Sequence, residues 1–272
     1  MLSCSEDPVR ILEGENLYPW CIVAFDSLER SPQQRIDMLK AFGFTRYAYD
    51  VDKTFLDDMA LEFQLAEEQE MEIFAVWFWL NAKRDSLHQL SSINEKVLEV
   101  IAGSGMQPTL WVSFSDNFFK GQNHEESLAE ASDMITMIHG KATELGCDVA
   151  LYNHGGWFGE PDHLIELMET LDLEGLSLVY NFHHAHQDLE HYEEILPKLT
   201  PYLSSVNING MREGGPKILT LGEGDHEGAM IRLLRTSGYH GPLGLLGHLK
   251  EKDAQQVLQE NLIGFRTLTE DL

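Results

Sequence analysis

Short apolar runs rich in β-branched and aromatic residues recur along this chain, and each precedes a longer stretch whose apolar positions follow helical spacing. The runs cover residues 20–25, 46–50, 73–80, 109–114, 149–153, 176–182, 205–209 and 243–246 and read as strands. The first helix is predicted from its opening, Ser31-Pro32-Gln33-Gln34, with Ser at the cap, Pro in the first turn and Gln three residues on. Ile36, Leu39 and Phe42 form its apolar stripe and Gly43 ends it. Further helices are predicted over residues 55–70, 85–102, 125–145, 161–171, 189–203, 227–237 and 253–268.

Eight β/α units in one run, with no Pro- or Ser-rich linker, predict an α/β protein whose 272 residues form a single (β/α)8 TIM barrel, one domain over residues 1–272. Near-continuous apolar strands fit a parallel sheet covered by helices. An open doubly wound sheet is the rival. It is disfavoured because Ala24-Phe25-Asp26-Ser27-Leu28, not a Gly-rich phosphate loop, follows the first strand.

Chemistry in such a barrel lies at the C-terminal ends of the strands. Four of those ends stop at clusters of Asn, His or Gly: Asn153-His154-Gly155-Gly156, Asn181-Phe182-His183-His184, Asn207-Ile208-Asn209-Gly210 and Gly247-His248. Residues two apart share a strand face, so Tyr152 pairs with His154, Asn181 with His183, Asn207 with Asn209 and Leu246 with His248, while His184 falls in the turn. The mouth is therefore expected to be rich in amides and imidazoles and poor in carboxylates.

A net charge of −26 argues against nucleic acid and anionic membranes as partners. The longest strongly apolar run, residues 73–80, is too short to span a bilayer. Residues 1–7 carry no basic, apolar leader, and Cys4, Cys21 and Cys147 form no close metal-type pair. With Cys21 and Cys147 expected as buried thiols at strand starts, a reducing, cytoplasmic setting is expected.

The chain resembles the xylose-isomerase-like superfamily of TIM barrels, which holds sugar and sugar-phosphate isomerases and epimerases and the family-two AP endonucleases. The resemblance runs over almost the whole chain. It is carried by Trp20-Cys21-Ile22-Val23, Tyr47-Ala48-Tyr49-Asp50, the stretch from Leu151 to Gly156, the Asn181 to His184 turn, Val206 to Gly210, Leu221-Gly222-Glu223-Gly224-Asp225 and Gly238-Tyr239-His240-Gly241-Pro242. The resemblance implies one divalent metal held by Glu, Asp, His and Glu. Here those positions fall on Tyr152, Asn181, Asn207 and Leu246, none of which suits Mg or Mn. No cofactor is therefore predicted, although a divalent metal stays open. An all-His site built from His154, His183, His184, His186 and His248 would suit zinc, copper or nickel. An endonuclease would need a multi-zinc cluster that is missing here and a basic groove that the net charge denies. The superfamily also admits a homodimer.

The expected activity is isomerisation, epimerisation or a related elimination on a sugar or sugar derivative, by proton transfer. The alternative is a carbohydrate-binding barrel without turnover. His154 and His184 are expected to move protons or polarise a carbonyl, because His titrates near neutral pH. Asp26, Asp50 and Glu160, with Asp116, are the carboxylates at strand ends, and the first three are the candidate bases. Asn153, Asn181, Asn207, Asn209 and His248 are expected to bind hydroxyls, and Arg212, with Lys217 nearby, an anionic group. Trp77, Trp79, Trp111 and Trp157 are candidate stacking platforms, with core packing as the plainer alternative for all but Trp157.

Overall fold

A computed structural model describes residues 16–270; Cys4 and the leader segment considered above lie outside the described residues. Eight parallel strands form one sheet: β1 (Leu17–Trp20), β2 (Arg46–Tyr49), β3 (Glu72–Leu80), β4 (Thr109–Phe114), β5 (Val149–Tyr152), β6 (Leu176–Asn181), β7 (Leu203–Ile208) and β8 (Leu243–Leu246). The helices around it are α1 (Pro32–Ala41), α2 (Met59–Glu68), α3 (Ser92–Ser104), α4 (His124–Glu144), the single turn α5 (Gly156–Gly159), α6 (Pro161–Leu171), α7 (Tyr192–Leu199), α8 (Glu227–Thr236) and α9 (Ala254–Thr269). Hydrogen-bonded neighbours run β2-β3-β4-β5-β6-β7-β8-β1, so the sheet curls until β1 returns to β2. This is the predicted barrel.

The seam between β1 and β2 has no ladder register among the described residues. A side chain bridges it. The Asp50 carboxylate, just past β2, accepts hydrogen bonds from the backbone N–H groups of Ile22, Val23 and Ala24, just past β1, at 2.9–3.0 Å. Cys21 has φ +55, which ends β1 at Trp20 and turns residues 21–25 into a loop at the mouth. The strand predicted over residues 20–25 is thus displaced, because the apolar Cys21-Ile22-Val23 run is a buried turn.

The core has two layers. Between strands and helices lies a large aliphatic shell. On the axis, Tyr18, Trp20, Trp111 and Tyr152 interlock above small residues Ala48, Ala75 and Ala150. Trp20 and Trp111 meet edge-on at 4.9 Å between centroids, and Tyr18 meets Phe74 at 4.6 Å. Large rings opposite alanines fill a barrel of this size without a channel.

The Ser31 cap, its Gln34 partner and the stop at Gly43 form as predicted. Two helices differ. The segment after β3 starts its helix at Ser92, not at Asp85. Asp85 instead accepts hydrogen bonds from the backbone N–H groups of Asn81 and Ser91 and holds the loop. The helix predicted over residues 189–203 is split: a 3-10 segment, Phe182–His191, precedes α7, which contains Pro197, and a further 3-10 turn, Thr200–Tyr202, follows.

Asp50→Ala should leave three buried N–H groups without acceptors at the seam. Loss of about 2–4 kcal/mol is expected from urea unfolding, with Asp50→Asn intermediate because one oxygen remains.

Candidate active site

Four imidazoles converge at the barrel mouth. His154 follows β5, His183 and His184 open the 3-10 segment after β6, and His248 follows β8 with φ +29. Ring centroids are 3.7 Å apart for His183 and His184, 4.4 Å for His154 and His184, and 5.2 Å for His183 and His248. They line a cavity of about 60 Å³ with Trp20, Phe25, Asp50, Trp77 and Tyr152. Phe25 stacks on His248 at 3.9 Å, and the Cys21 thiol lies 3.5 Å from His248 Nδ1. Of the five histidines considered for an all-His site, the structure brings His154, His183, His184 and His248 together and leaves out His186.

Burial holds all four below the usual histidine range, with repulsion among the rings adding to it for His183, His184 and His248, and His248 lies at about 4. For His154 the carboxylate of Asp116 opposes that effect of burial. The four imidazoles are therefore uncharged bases at neutral pH. His183 Nδ1 is 2.8 Å from Asn181 Oδ1, an amide oxygen that only accepts. The Nδ1 therefore carries the hydrogen, leaving Nε2 with its lone pair.

His154 Nδ1 lies 3.5 Å from Asp116 Oδ1. The approach depends on the glycines that follow. A Cβ on Gly155 would meet Asp116 Oδ1 at 2.5 Å, and one on Gly156, at φ +64, would meet the Asp116 carbonyl oxygen at 2.8 Å. The Asn-His-Gly-Gly signature is, in this chain, what lets a carboxylate from the β4 loop reach the imidazole after β5.

The amides behave differently from expectation. Asn153, Asn181, Asn207 and Asn209 are fully buried and line no wall of the imidazole cavity. Asn153 extends the β5–β6 pairing, donating to the Asn181 carbonyl and accepting from its N–H. Asn181 Nδ2 donates to the Tyr152 hydroxyl, and Asn207 Oδ1 accepts from the Tyr18 hydroxyl at 2.8 Å. Asn209 Nδ2 donates to the carbonyls of Gly210 and Lys217, tying back the loop after β7. Asn207 Nδ2 and Asn209 Oδ1 are left without partners.

The remaining candidates disperse. Asp26 is occupied by Arg30, at 2.9 Å, and by backbone N–H groups including that of Ala254, so it anchors the entry to α9. Asp50 lines the cavity, yet both its oxygens serve the seam. Burial raises its pKa to about 6 against the pull of those hydrogen bonds. Glu160 sits at the N-cap position of α6 without a side-chain cap hydrogen bond and accepts from Gln187. Trp157 stacks on His163 at 4.6 Å, on the helical side of the barrel. Arg212 is exposed and pairs with Asp225, and His186 bonds the Arg212 carbonyl. Cys21 follows a strand instead of starting one.

At the four positions where the resemblance implies metal ligands stand two hydrogen-bonded amides, an aliphatic side chain and a phenol. Tyr152 accepts from Trp20 Nε1 at 3.0 Å and from Asn181, and burial pushes its pKa far up. Leu246 packs in the axial cluster. This donor set does not fit a hard divalent cation, which requires several anionic or carbonyl oxygens. Among the described residues no group of three or more His, Cys, Asp or Glu has the geometry to hold a metal ion. A wider concavity, about 800 Å³, opens on the flank between α3 and α4, away from the strand ends.

No protein-family model matches the sequence, and no curated protein matches it. Solved structures do match in fold. The 3-keto-D-glucoside 4-epimerase YcjR from E. coli is 14% identical, with 93% of this chain and 99% of that one covered at a TM-score of 0.69. A D-tagatose 3-epimerase-like protein is 15% identical, covering 94% and 97% with a TM-score of 0.69. The IolI protein with a bound zinc atom is 15% identical, covering 94% and 98% with a TM-score of 0.66. The chain shares the fold of xylose-isomerase-like barrels.

Acid should destabilise this cluster. An unfolded histidine binds a proton below about pH 6.5, whereas folded His248 does so only below about 4. Stability is therefore lost as pH falls from the first value to the second. Asp50, raised to about 6, acts in the opposite sense. Comparing the wild type with His248→Gln cancels the Asp50 contribution. Denaturant melts across this window should show a shallower acid loss in the variant.

Proposed function

We propose that this protein is a sugar isomerase/epimerase-like enzyme that works by proton transfer at the imidazole cluster, without a hard divalent cation on the barrel axis. One observation carries the reading: four uncharged imidazoles line one cavity at the strand ends, where barrels of this fold do their chemistry. The names of its structural neighbours, which include sugar epimerases, support the substrate class.

His154 is the best placed base. Asp116, 3.5 Å from Nδ1 and not hydrogen-bonded to it, stabilises by its charge the imidazolium that forms when His154 takes a proton from the carbon beside a carbonyl. The C–H electron pair then moves into an enediolate, whose charge develops on the former carbonyl oxygen. His184, 4.4 Å away, donates to that oxygen or returns a proton to carbon. Depressed pKa values keep the rings unprotonated at neutral pH but weaken them as bases, so the Asp116 contact matters most for His154. A small-molecule partner and a cytoplasmic setting belong to the same proposal. The free thiols Cys21 and Cys147 are compatible with it. A homodimer is compatible too.

A second reading, a carbohydrate-binding barrel without turnover, is favoured by the lack of ligand-type side chains at Tyr152, Asn181, Asn207 and Leu246, while the imidazole cavity by itself holds no whole sugar in either reading. About 60 Å³ is small beside the roughly 300–1,000 Å³ of ordinary ligand pockets. Deuterium incorporation from D2O into a panel of ketoses and keto-glycosides, read by NMR, separates the two. The enzyme reading expects exchange, with a loss of about 10²–10⁴-fold in His154→Ala/His184→Ala. Exchange that survives in the double variant removes this mechanism, and thermal stabilisation by sugars with no exchange supports the binding reading.

Elemental analysis after dialysis should find no stoichiometric Mg or Mn. Retention of either ion would overturn the metal-free axis, and retained zinc, copper or nickel would reassign the imidazoles as ligands.

A further inference from the structure

Beside the imidazole cavity lies a second one of about 320 Å³, between the loops that follow β2 and β3. Trp77 lines both, so a single indole divides them. The Trp79 indole lines the second cavity as well, stacked on Trp77 at 5.6 Å between centroids with the ring planes nearly parallel at 9°. The Trp79 Nε1–H is buried and has no acceptor, whereas Trp77 Nε1 donates to Ser113.

The charge in this cavity runs against that of the chain. The sequence has 19 Lys and Arg against 45 Asp and Glu. Even so, Lys53 and Arg84 both line the cavity, with Asp52 as its one acidic lining residue. Neither cation is held in an ion pair among the described residues, unlike Arg30 and Arg35. Lys250 adds to the positive side. It and Lys53 help Thr54 hold the Asp52 carboxyl low against the effect of partial burial. Unpaired cations gathered at one cavity of so acidic a protein raise the local concentration of anions and repel little that is already there.

We infer that this side cavity is a subsite for the anionic end of a sugar ligand, a carboxylate or a phosphate, held by Lys53 and Arg84 while the ring rests on the Trp77–Trp79 pair. The inference rests on the proton-transfer reading only for the identity of the neighbouring site. It also accommodates the small imidazole cavity, which needs to admit only the reacting carbons. Planar guanidinium and point-charge ammonium together suit either oxyanion.

The test is a tryptophan-fluorescence titration with glucose, glucuronate and glucose 6-phosphate. At least one anionic sugar should bind about tenfold or more tightly than glucose, the scale of a charge-assisted contact. The preference should shrink as salt screens it and disappear in Lys53→Gln/Arg84→Gln. Both residues are exposed, so the melting temperature of that variant should match the wild type. Which anion wins separates the carboxylate source from the phosphate source. Equal binding of the three probes, or a preference that survives the double variant, overturns the subsite. A preference retained in His154→Ala/His184→Ala, or in a wild type that exchanges no deuterium, upholds the subsite and leaves the catalytic reading to its own experiment.

Discussion

A carboxylate sealed among three backbone N–H groups keeps the wall of this barrel continuous where the ladder of the sheet is interrupted. Asp50 binds the loop after β1 to the end of β2. That loop places Phe25 against His248 and the Cys21 thiol beside the same ring. The imidazole cluster therefore depends on a group that serves no hydroxyl itself. The carboxylate stays buried because each of its oxygens is bonded, the condition under which burying such a group is tolerable.

The axis is held by neutral partners. Trp20 and Asn181 both donate to the Tyr152 hydroxyl, and separately the Tyr18 hydroxyl donates to Asn207, among aromatic rings. A cage of carboxylates in that setting would have to be compensated by a cation, whereas phenol and amide groups compensate one another. Polarity thus shifts outward from the axis to the mouth, where four imidazoles and, one indole further, two free cations gather.

Much of the architecture was legible because it rests on short-range regularity. Thr109–Phe114, Pro161–Leu171 and Leu243–Leu246 lie where their apolar pattern places them. The capping residues of α1 act as their chemistry requires. The first strand misled because Trp20 to Val23 is uniformly apolar, and the left-handed backbone at Cys21 leaves no trace in composition. At the site, the convergence of His154, His184 and His248 followed from their places at strand ends. The roles of the amides did not, since one Asn in a strand end reads alike whether it faces a cavity or a neighbouring strand. His183 was legible as one imidazole of a possible all-His group, but its close contact with His184 was not, because the 3-10 turn that sets the two rings side by side has no distinct periodicity. Asp116 was legible as a strand-end carboxylate but not as the neighbour of His154: that partner lies in the next β/α unit, and only the paired glycines at 155 and 156 hinted at close backbone approach.

The Tyr152 hydroxyl also bears on how such a protein can change over generations. A glutamate introduced there alone would remove the acceptor for the Trp20 indole as Tyr152 presents it and would bury a negative charge among rings, with Asn181, Asn207 and Leu246 unable to share a cation with it. A carboxylate cage therefore cannot be started from position 152 alone without loss of stability, whereas the loops at the rim can vary without disturbing the axial contacts.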